Sequence, residues 1–409
     1  MTKQRATSAM PPLILGVLAL VSALEPLSIN MYLSGLPQLA GDLDITQAGA
    51  QLTLTFFLLG MSLGQLVMGT LSDAVGRRGL FVGGVIVVVA ASVLAAVAPT
   101  APVLFLARFL MGLAAGTAVV LARAVAGDLV KGQELARVFS LLMLLGGVAP
   151  VIGPVLGGVI VDTAGWRGVF WTLAGLNAIM MIAVILAIPE TLPKQRRTGG
   201  GAGPLLRAIG TLLRDRAYLG FTLGYIFSFS TMFTYVAASP FLLQDDFGFT
   251  PVQYSIIFAV NTTGMFLTSL TNARLVRRLG PLALARTGNL ILVAAVAYLL
   301  IASFAGAGRW AILAGLFVVV SSMGLNFGNN SALAISRAGT LTGSASAFMG
   351  AGQFLIAGLL APAVAWVVAQ GLSQAQGMAV VMAVVALIAA AGVWGGGAVM
   401  AREKAGQGN

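Results

Sequence analysis

Twelve apolar runs of about twenty residues follow one another along this chain, and no other feature narrows its fold so far. They lie at 13–36, 49–71, 80–98, 102–126, 137–161, 167–188, 217–243, 251–273, 281–304, 310–333, 341–368 and 374–400. Hydrocarbon leaves backbone N–H and C=O groups no outside partner, so a spanning segment must satisfy them internally. Runs of this length suit α-helices, which need about 20 residues to cross a bilayer core of roughly 30 Å. Composition agrees: 58% of residues are hydrophobic and 9% charged, against about 25% charged in a soluble domain. The fold class expected is an all-α membrane protein with the lipid bilayer as its solvent.

An even number of spans puts both termini on one side. Of the 23 Lys and Arg residues, three fall outside the segments on that side: Arg108 within the fourth span, and Arg167 and Arg309 in short loops opposite. The other 20 lie toward the N-terminus, the loops after even-numbered spans, or the C-terminus, with Arg123, Arg137 and Arg286 only nominally at a span's end. This bias places both termini in the cytoplasm. The formal charge of +11 is therefore an insertion signal, and nucleic acid is rejected as a partner. The N-terminal MTKQRATSAM runs into apolar sequence without a small-residue cleavage site, so it is expected to flank a first span and not to be a removed signal peptide.

The chain has no cysteine and no histidine. A thiolate metal site is excluded, neither metal nor cofactor is expected, and any group that changes protonation near neutral pH must be a carboxylate. Between the sixth and seventh spans, residues 189–216 carry Lys194, Arg196, Arg197 and the run Gly199-Gly200-Gly201-Ala202-Gly203-Pro204. No Gly-Lys-Ser/Thr follows, so this reads as a flexible connector and not a phosphate loop. It divides the chain into an N-terminal six-helix bundle (1–188), a cytoplasmic linker (189–216) and a C-terminal six-helix bundle (217–409). A weak repeat supports the division: Ser72-Asp73-Ala74-Val75-Gly76-Arg77-Arg78-Gly79 is echoed by Asn272-Ala273-Arg274-Leu275-Val276-Arg277-Arg278-Leu279-Gly280. Each follows the second span of its half, as in architectures whose substrate binds at midplane between repeats that rock.

The loop Gly69-Thr70-Leu71-Ser72-Asp73-Ala74-Val75-Gly76-Arg77-Arg78-Gly79 resembles the G-x-L-x-D-x-x-G-R-R signature of the major facilitator superfamily, in which two six-helix bundles form the fold. In the fifth span, Gly146-Gly147-Val148-Ala149-Pro150-Val151-Ile152-Gly153-Pro154-Val155-Leu156-Gly157-Gly158 resembles the motif of that superfamily's drug/proton antiporters, Pro150, Gly153, Pro154, Gly157 and Gly158 carrying the match. Arg108-Phe109-Leu110-Met111-Gly112 is similar to its R-x-x-x-G. Glu25-Pro26-Leu27-Ser28-Ile29-Asn30-Met31-Tyr32-Leu33 and Ala237-Ala238-Ser239-Pro240-Phe241-Leu242-Leu243-Gln244 resemble the Bcr/CflA branch of bicyclomycin and chloramphenicol efflux proteins. The resemblance implies a conformational latch in Gly69, Asp73, Gly76, Arg77 and Arg78. Asp128, at the inner end of the fourth span, would pair with a loop arginine, and Asp73 would face a helix N-terminus near 340–343. Such a contact contributes about 0.3–1 kcal/mol when exposed and up to about 2 when partly buried. That size biases two states without freezing either.

One departure from the branch matters. Its Ile-Asp-Met-Tyr pattern reads Ile29-Asn30-Met31-Tyr32 here, and asparagine cannot titrate, so the usual proton site does not carry over. Glu25 stands five residues earlier, about 18 Å into the first span at 1.5 Å per residue. An acid near midplane costs at least about 2.5–3.5 kcal/mol, so it must face a cavity or a partner. It is the one acid at mid-depth, hence the proton-coupling candidate by elimination. A fixed pair with Arg108, or recognition of a cationic substrate, is the rival role. Asn30 lies about 140° round the helix from Glu25, at a depth where a hydrogen bond to Arg108 is geometrically reasonable. Arg108 could also snorkel to the outer interface.

In the second half, Tyr225, Phe227, Phe229, Phe233 and Tyr235 with Asn261, Asn326, Asn329, Asn330 and Gln353 offer an apolar wall with neutral hydrogen-bonding groups, suited to a small amphiphilic substrate. Candidate contacts are Glu25, Asn30, Tyr32, Arg108, Tyr235, Asn261 and Asn330. The function expected is proton-coupled export of small amphiphilic compounds, phenicol-like or peptide-antibiotic-like, by a monomer in a bacterial-type plasma (inner) membrane. Transport of an endogenous metabolite is the alternative. An enzyme or sensor on this scaffold is distant, because no mid-membrane carboxylate pair and no soluble output segment of useful length is present.

Overall fold

The computed structural model describes residues 10–197 and 202–407. The basic N-terminal residues up to position 9 and the glycines at 199–201, both used above, lie outside the described residues. Every regular element among those described is helical: α1 (Pro12–Asn30), α2 (Leu36–Asp42), α3 (Gln47–Val75), α4 (Arg77–Ala96), α5 (Ala101–Leu129), α6 (Gly132–Ala187), α7 (Ala202–Leu212), α8 (Arg216–Phe241), α9 (Pro251–Leu279), α10 (Pro281–Phe304), α11 (Arg309–Arg337), α12 (Thr342–Leu360), α13 (Ala363–Val368) and α14 (Gln374–Gln407), with short 3-10 and π turns between some of them. Among the described residues, ten helical stretches are long and apolar enough to cross a membrane. In α6 a run of 56 residues is broken at Gly165, whose φ of 68° and ψ of 179° are not helical. α9 is not among the ten. It is as long as α11, but Asn261, Thr262, Thr263, Thr268, Thr271 and Asn272 dilute its apolar character.

Two details differ from the sequence expectation. The first run does not continue as one helix to 36: α1 ends at Asn30, a 3-10 turn follows at Leu33–Gly35, and α2 begins at Leu36. Gly35 packs there on Trp166, where an added Cβ would lie 2.9 Å from that residue's own Cβ. The linker is also not all loop, since α7 occupies Ala202–Leu212 and turns Ala208 and Leu212 inward.

The chain forms two compact units. The first holds the residues up to Gly35 together with Phe56–Ala202, and the second holds Leu36–Thr55 together with the residues from Gly203 onward. In the first, glycines set the helix spacing. A Cβ at Gly157 of α6 would fall on the carbonyl oxygen of Met31, just past α1, and one at Gly112 of α5 would fall on that of Phe57 in α3. Without a hydrophobic drive between helices in lipid, such close backbone approach is a main source of association.

In the second unit, three polar side chains at one-turn spacing on α3 hold its N-terminal half. The Gln51 Nε2 donates to the Ala237 carbonyl at 3.0 Å, Thr55 Oγ1 donates to the Gly358 carbonyl at 2.8 Å, and the Gln47 and Gln374 amides bond each other. Asp215 caps α8 by accepting from the N–H groups of Ala217 and Tyr218 at 2.8 and 3.0 Å. A core of Tyr218, Phe221, Ala285, Leu333, Ala334 and Val393 sits beside that end.

Candidate functional site

The first unit gathers the candidates of α1 and α5. Arg108 is 0% exposed, so it does not snorkel. Its guanidinium carbon lies 4.1 Å from the Tyr32 ring centroid and 4.3 Å from that of Phe57, with Phe170 at 5.8 Å. Desolvated contacts of this kind are worth about 2 kcal/mol. Tyr32 is itself fully buried and packs on Phe170 at 5.5 Å, so it is a platform for Arg108. The hydrogen bond expected between Arg108 and Asn30 is not formed. Arg108 Nη1 donates to the Ser28 carbonyl at 3.0 Å, Nε and Nη2 have no acceptor among the described residues, and the Asn30 amide donates to the Pro26 carbonyl at 2.7 Å. The physical reason is that α1 ends at Asn30, so the Ser28 carbonyl lies in the last turn, where intrahelical donors run out, and takes the Arg108 guanidinium instead. The Asn30 amide bonds back to the carbonyl four residues earlier, as short polar side chains do in helices.

Glu25 forms no ion pair with Arg108. It is half-buried on the wall of a small void that Ser28, Val88, Ala118 and Asn177 also line. The cation that acts on it electrostatically is Arg123 of α5. Arg123 is exposed and makes no salt bridge in the 69–79 cluster among the described residues. The antiporter-like run of α6 positions this site: Gly153 meets Leu27 and Asn30 of α1, at 3.3 and 3.5 Å from where its Cβ would stand, while Pro150 and Pro154 lie within the same helix.

At the other end of the unit the 69–79 loop is densely tied. Arg77, 9% exposed, reaches Asp73 Oδ1 at 2.5 Å, the Ser72 hydroxyl at 2.5 Å and Asp128 Oδ2 at 3.2 Å. Asp128 Oδ2 also accepts from Thr191 Oγ1 at 2.9 Å, and Arg78 Nη2 donates to the Ile185 carbonyl at 3.1 Å. Glu190, which sequence reasoning missed, accepts the N–H groups of Arg77 and Leu192 at 3.0 Å each and faces Arg197 at 3.5 Å. It thereby caps α4 from the far end of α6. Gly76, at φ 111°, permits this: a Cβ there would stand 2.5 Å from Glu190 Oε2 and from Arg197 Nη2. The signal for Glu190 was present in the sequence as the acid directly after the sixth span.

Burial opposes ionisation of Glu190, but the N–H groups of Leu192, Arg77 and Arg78 and the Arg197 guanidinium outweigh it and hold the carboxyl below the usual carboxylate range. A carboxyl so depressed contributes stability above its unfolded pKa of about 4.3 and loses it as pH falls through the lower folded value. Glu190→Gln is therefore expected to melt earlier than wild type at pH 7, with the gap closing on acidification below about 4. Melting curves across that range check it; a gap that stays constant with pH contradicts the capping charge.

In the second unit Tyr235 and Asn261 come together: Asn261 Nδ2 donates to the Tyr235 hydroxyl at 2.9 Å, and the Tyr235 ring stacks on Phe258 at 5.5 Å. Asn330 does not join them. It is 0% exposed and faces Gly224 of α8, whose Cβ would lie 3.3 Å from its Oδ1. Eleven residues separate Gly224 from Tyr235, about 16 Å along the helix. Other aromatics instead cluster around Phe229, which lies 5.6 Å from Phe233, 5.9 Å from Phe327 and 5.3 Å from Phe354. Phe327 and Phe354 were invisible as partners because they belong to α11 and α12, over 90 residues on.

The comparisons agree with this architecture. The Major Facilitator Superfamily model matches residues 18–362. The chain is 32% identical over 395 residues, 96% of each chain, to the uncharacterized MFS-type transporter YdgK of Bacillus subtilis. It is 28% identical over 349 residues to a bicyclomycin resistance protein homolog of Haemophilus influenzae, covering 85% of this chain and 87% of that one. It is 34% identical over 245 residues to the multidrug resistance protein MdtL of Shigella dysenteriae, covering 60% and 61%. In fold it is similar to the crystal structure of a bacterial homolog to the human lysosomal transporter Spinster, with a TM-score of 0.73, 15% identity and coverage of 95% and 98%. The helical units, the 69–79 loop with its paired charges and these relatives together assign the chain: it is a multi-pass membrane transporter that belongs to the major facilitator superfamily, on its Bcr/CflA branch.

Proposed function

We propose that this transporter exports small amphiphilic compounds in exchange for protons by alternating access, with both termini in the cytoplasm of a bacterial-type inner membrane. Counting α6 as two spans across Gly165 and adding α9 brings the ten apolar stretches to twelve, six to each half. Glu25 carries the proton reading: it is the one carboxyl at mid-depth, and it lines a void and forms no ion pair among the described residues. The names of two relatives, a bicyclomycin resistance protein homolog and a multidrug resistance protein, support export of drug-like compounds. Candidate substrate contacts are Asn30, Tyr32 and Arg108 of the first unit and Tyr235 and Asn261 of the second. The cluster around Phe229 supplies apolar surface. The test is transport in proteoliposomes: an imposed pH gradient is expected to drive a neutral phenicol against its own gradient, and an uncoupler to stop it. Uphill movement that ignores the pH gradient overturns proton coupling.

The latch reading covers Gly69, Asp73, Gly76, Arg77, Arg78 and Asp128, now joined by Glu190. Arg77→Ala or Asp73→Asn is expected to slow transport while leaving the substrate Kd within about tenfold, or about 1.4 kcal/mol, because a latch sets state populations. Wild-type transport rates in either variant would sink it.

A further inference from the structure

The echo of the 69–79 loop in the second unit has the arginines without the acids. In the first unit Arg77 holds Asp73 and Asp128. In the second, Arg274, Arg277 and Arg278 lie in the last two turns of α9, and among the described residues none of them meets a carboxylate. The sequence has no acid between Asp246 and Glu403. Glu403 is bonded to Arg337 at 2.8 Å, as Asp215 is at 2.9 Å. Gly280, at φ 76°, turns the chain directly into α10, which brings a fourth arginine without an acid, Arg286. Arg286 is placed differently from the other three. It is half-buried, and its Nε is shut off from solvent with no acceptor among the described residues. Its guanidinium carbon lies 5.0 Å from the Trp394 ring centroid on α14. The same group fills the notch at Gly397, where an added Cβ would stand 2.5 Å from Nη2. An arginine that only snorkelled would turn its head to water; this one is held against a neighbouring helix.

We propose that the groove between α10 and α14 at this end of the second unit binds the phosphate of an anionic phospholipid. Arg286 is the contact group, and Trp394 is the surface that holds its guanidinium. Lipid is the source because the exposed side chains around it are apolar: Leu290, one turn along α10, and Leu279 at the end of α9. The Trp394 ring, 46% exposed, is an amphipathic group of the kind that settles at headgroup level. Depth agrees. The 24 residues of α10 span about 36 Å, against a hydrocarbon core of roughly 30 Å. Arg286 lies about 7.5 Å along it, where a side chain as long as arginine's reaches the phosphates. An anionic headgroup fits this end better than a zwitterionic one, which would carry an ammonium toward Arg274, Arg277 and Arg278. Basic pockets between membrane helices take such headgroups. The site is independent of what the transporter carries and of how it is driven.

The experiment measures binding, not transport, on the full-length purified protein in dodecyl maltoside at constant ionic strength. Thermal unfolding is followed while dioleoylphosphatidylglycerol, dioleoylphosphatidylcholine or inorganic phosphate is added. The two lipids share their acyl chains, so apolar contact cancels between them. Wild type is expected to gain stability saturably with the glycerol lipid, as with any ligand of the folded state, and to show no saturable gain with the other two. Arg286→Gln is expected to move the midpoint of that titration at least about tenfold higher, the scale of one charged hydrogen-bonding group. Arg309→Gln is the control. Arg309 also sits by a tryptophan, 5.5 Å from the Trp310 ring, but it is exposed and lies just past the far end of α10, so its midpoint is expected to match wild type. Should Arg286→Gln not fold, Trp394→Leu takes its place: the ring faces lipid, its loss leaves the guanidinium unsupported, and a smaller shift the same way is expected. An unshifted midpoint in the variant used, an equal shift in Arg309→Gln, or an equal response of wild type to the choline lipid overturns the site. A saturable response to inorganic phosphate over the same range overturns the lipid assignment in favour of a free anion.

Discussion

Glu25→Gln is expected to abolish uphill export of a neutral substrate driven by a pH gradient, while substrate binding persists and changes by less than about tenfold. Glutamine keeps the size and most of the hydrogen-bonding capacity of the side chain but cannot exchange a proton. With no histidine in the chain and no other carboxyl at mid-depth, nothing else in the spans can take over. The measurement is accumulation in proteoliposomes with the gradient imposed, beside equilibrium binding of the same compound. If Glu25→Gln still concentrates the neutral compound, Glu25 is not the proton carrier and its role reverts to recognition of cations. A rescue by Asn30→Asp, natural to expect from the branch pattern, is not expected here. The Asn30 amide donates to the Pro26 carbonyl at 2.7 Å, where an ionised aspartate would set two acceptors against each other, and the guanidinium of Arg108 bonds Ser28.

The largest structural effect is expected from Gly157→Ala. The added methyl would fall on the Met31 carbonyl oxygen, and backbone at a helix crossing cannot turn aside as a side chain can. Overpacking costs roughly 1–3 kcal/mol where neighbours are free to adjust, and the loss here is expected at or above that upper end. It should appear as a lower Tm and reduced recovery of monodisperse protein. Gly175→Ala, on the later part of the same α6, meets nothing within 4 Å and is expected to be neutral or slightly stabilising, since alanine is favoured over glycine in a helix by about 0.5–1 kcal/mol. Equal behaviour of the two variants would mean that α1 and α6 do not touch as closely as Gly157 and Met31 require.

Much of this protein could be read in one dimension because its solvent imposes a one-dimensional rule. Hydrocarbon forces each crossing into a helix of about twenty apolar residues, so the run lengths alone give most of the long helices. The 69–79 segment was legible in part: a pairing of Asp128 with one of its arginines was expected and Arg77 makes it, whereas the contact of Arg77 with Asp73 across the break at Gly76 was not foreseen. The prolines and glycines of α6 announced close packing, though not that Met31 and Asn30 were the surfaces met.

What adjoins across helices was not legible, because in lipid nearly every face of a span is apolar and periodicity no longer tells inside from outside. Only the tertiary structure brought Glu190 over 110 residues back to the N-terminus of α4, and separated Asn330 from the Tyr235–Asn261 pair it was grouped with. It alone gave Gln47, Gln51 and Thr55 of α3 their partners in the second unit. It also brought Asn177 of α6 to Ser92 of α4, 85 residues earlier. The sequence by itself determined that the chain is helical and where most of its long apolar segments lie, since these depend on the free energy of each segment in lipid. The tertiary structure decided which polar atoms meet, since buried hydrogen bonds and close backbone contacts depend on helix rotation and crossing that no single segment encodes.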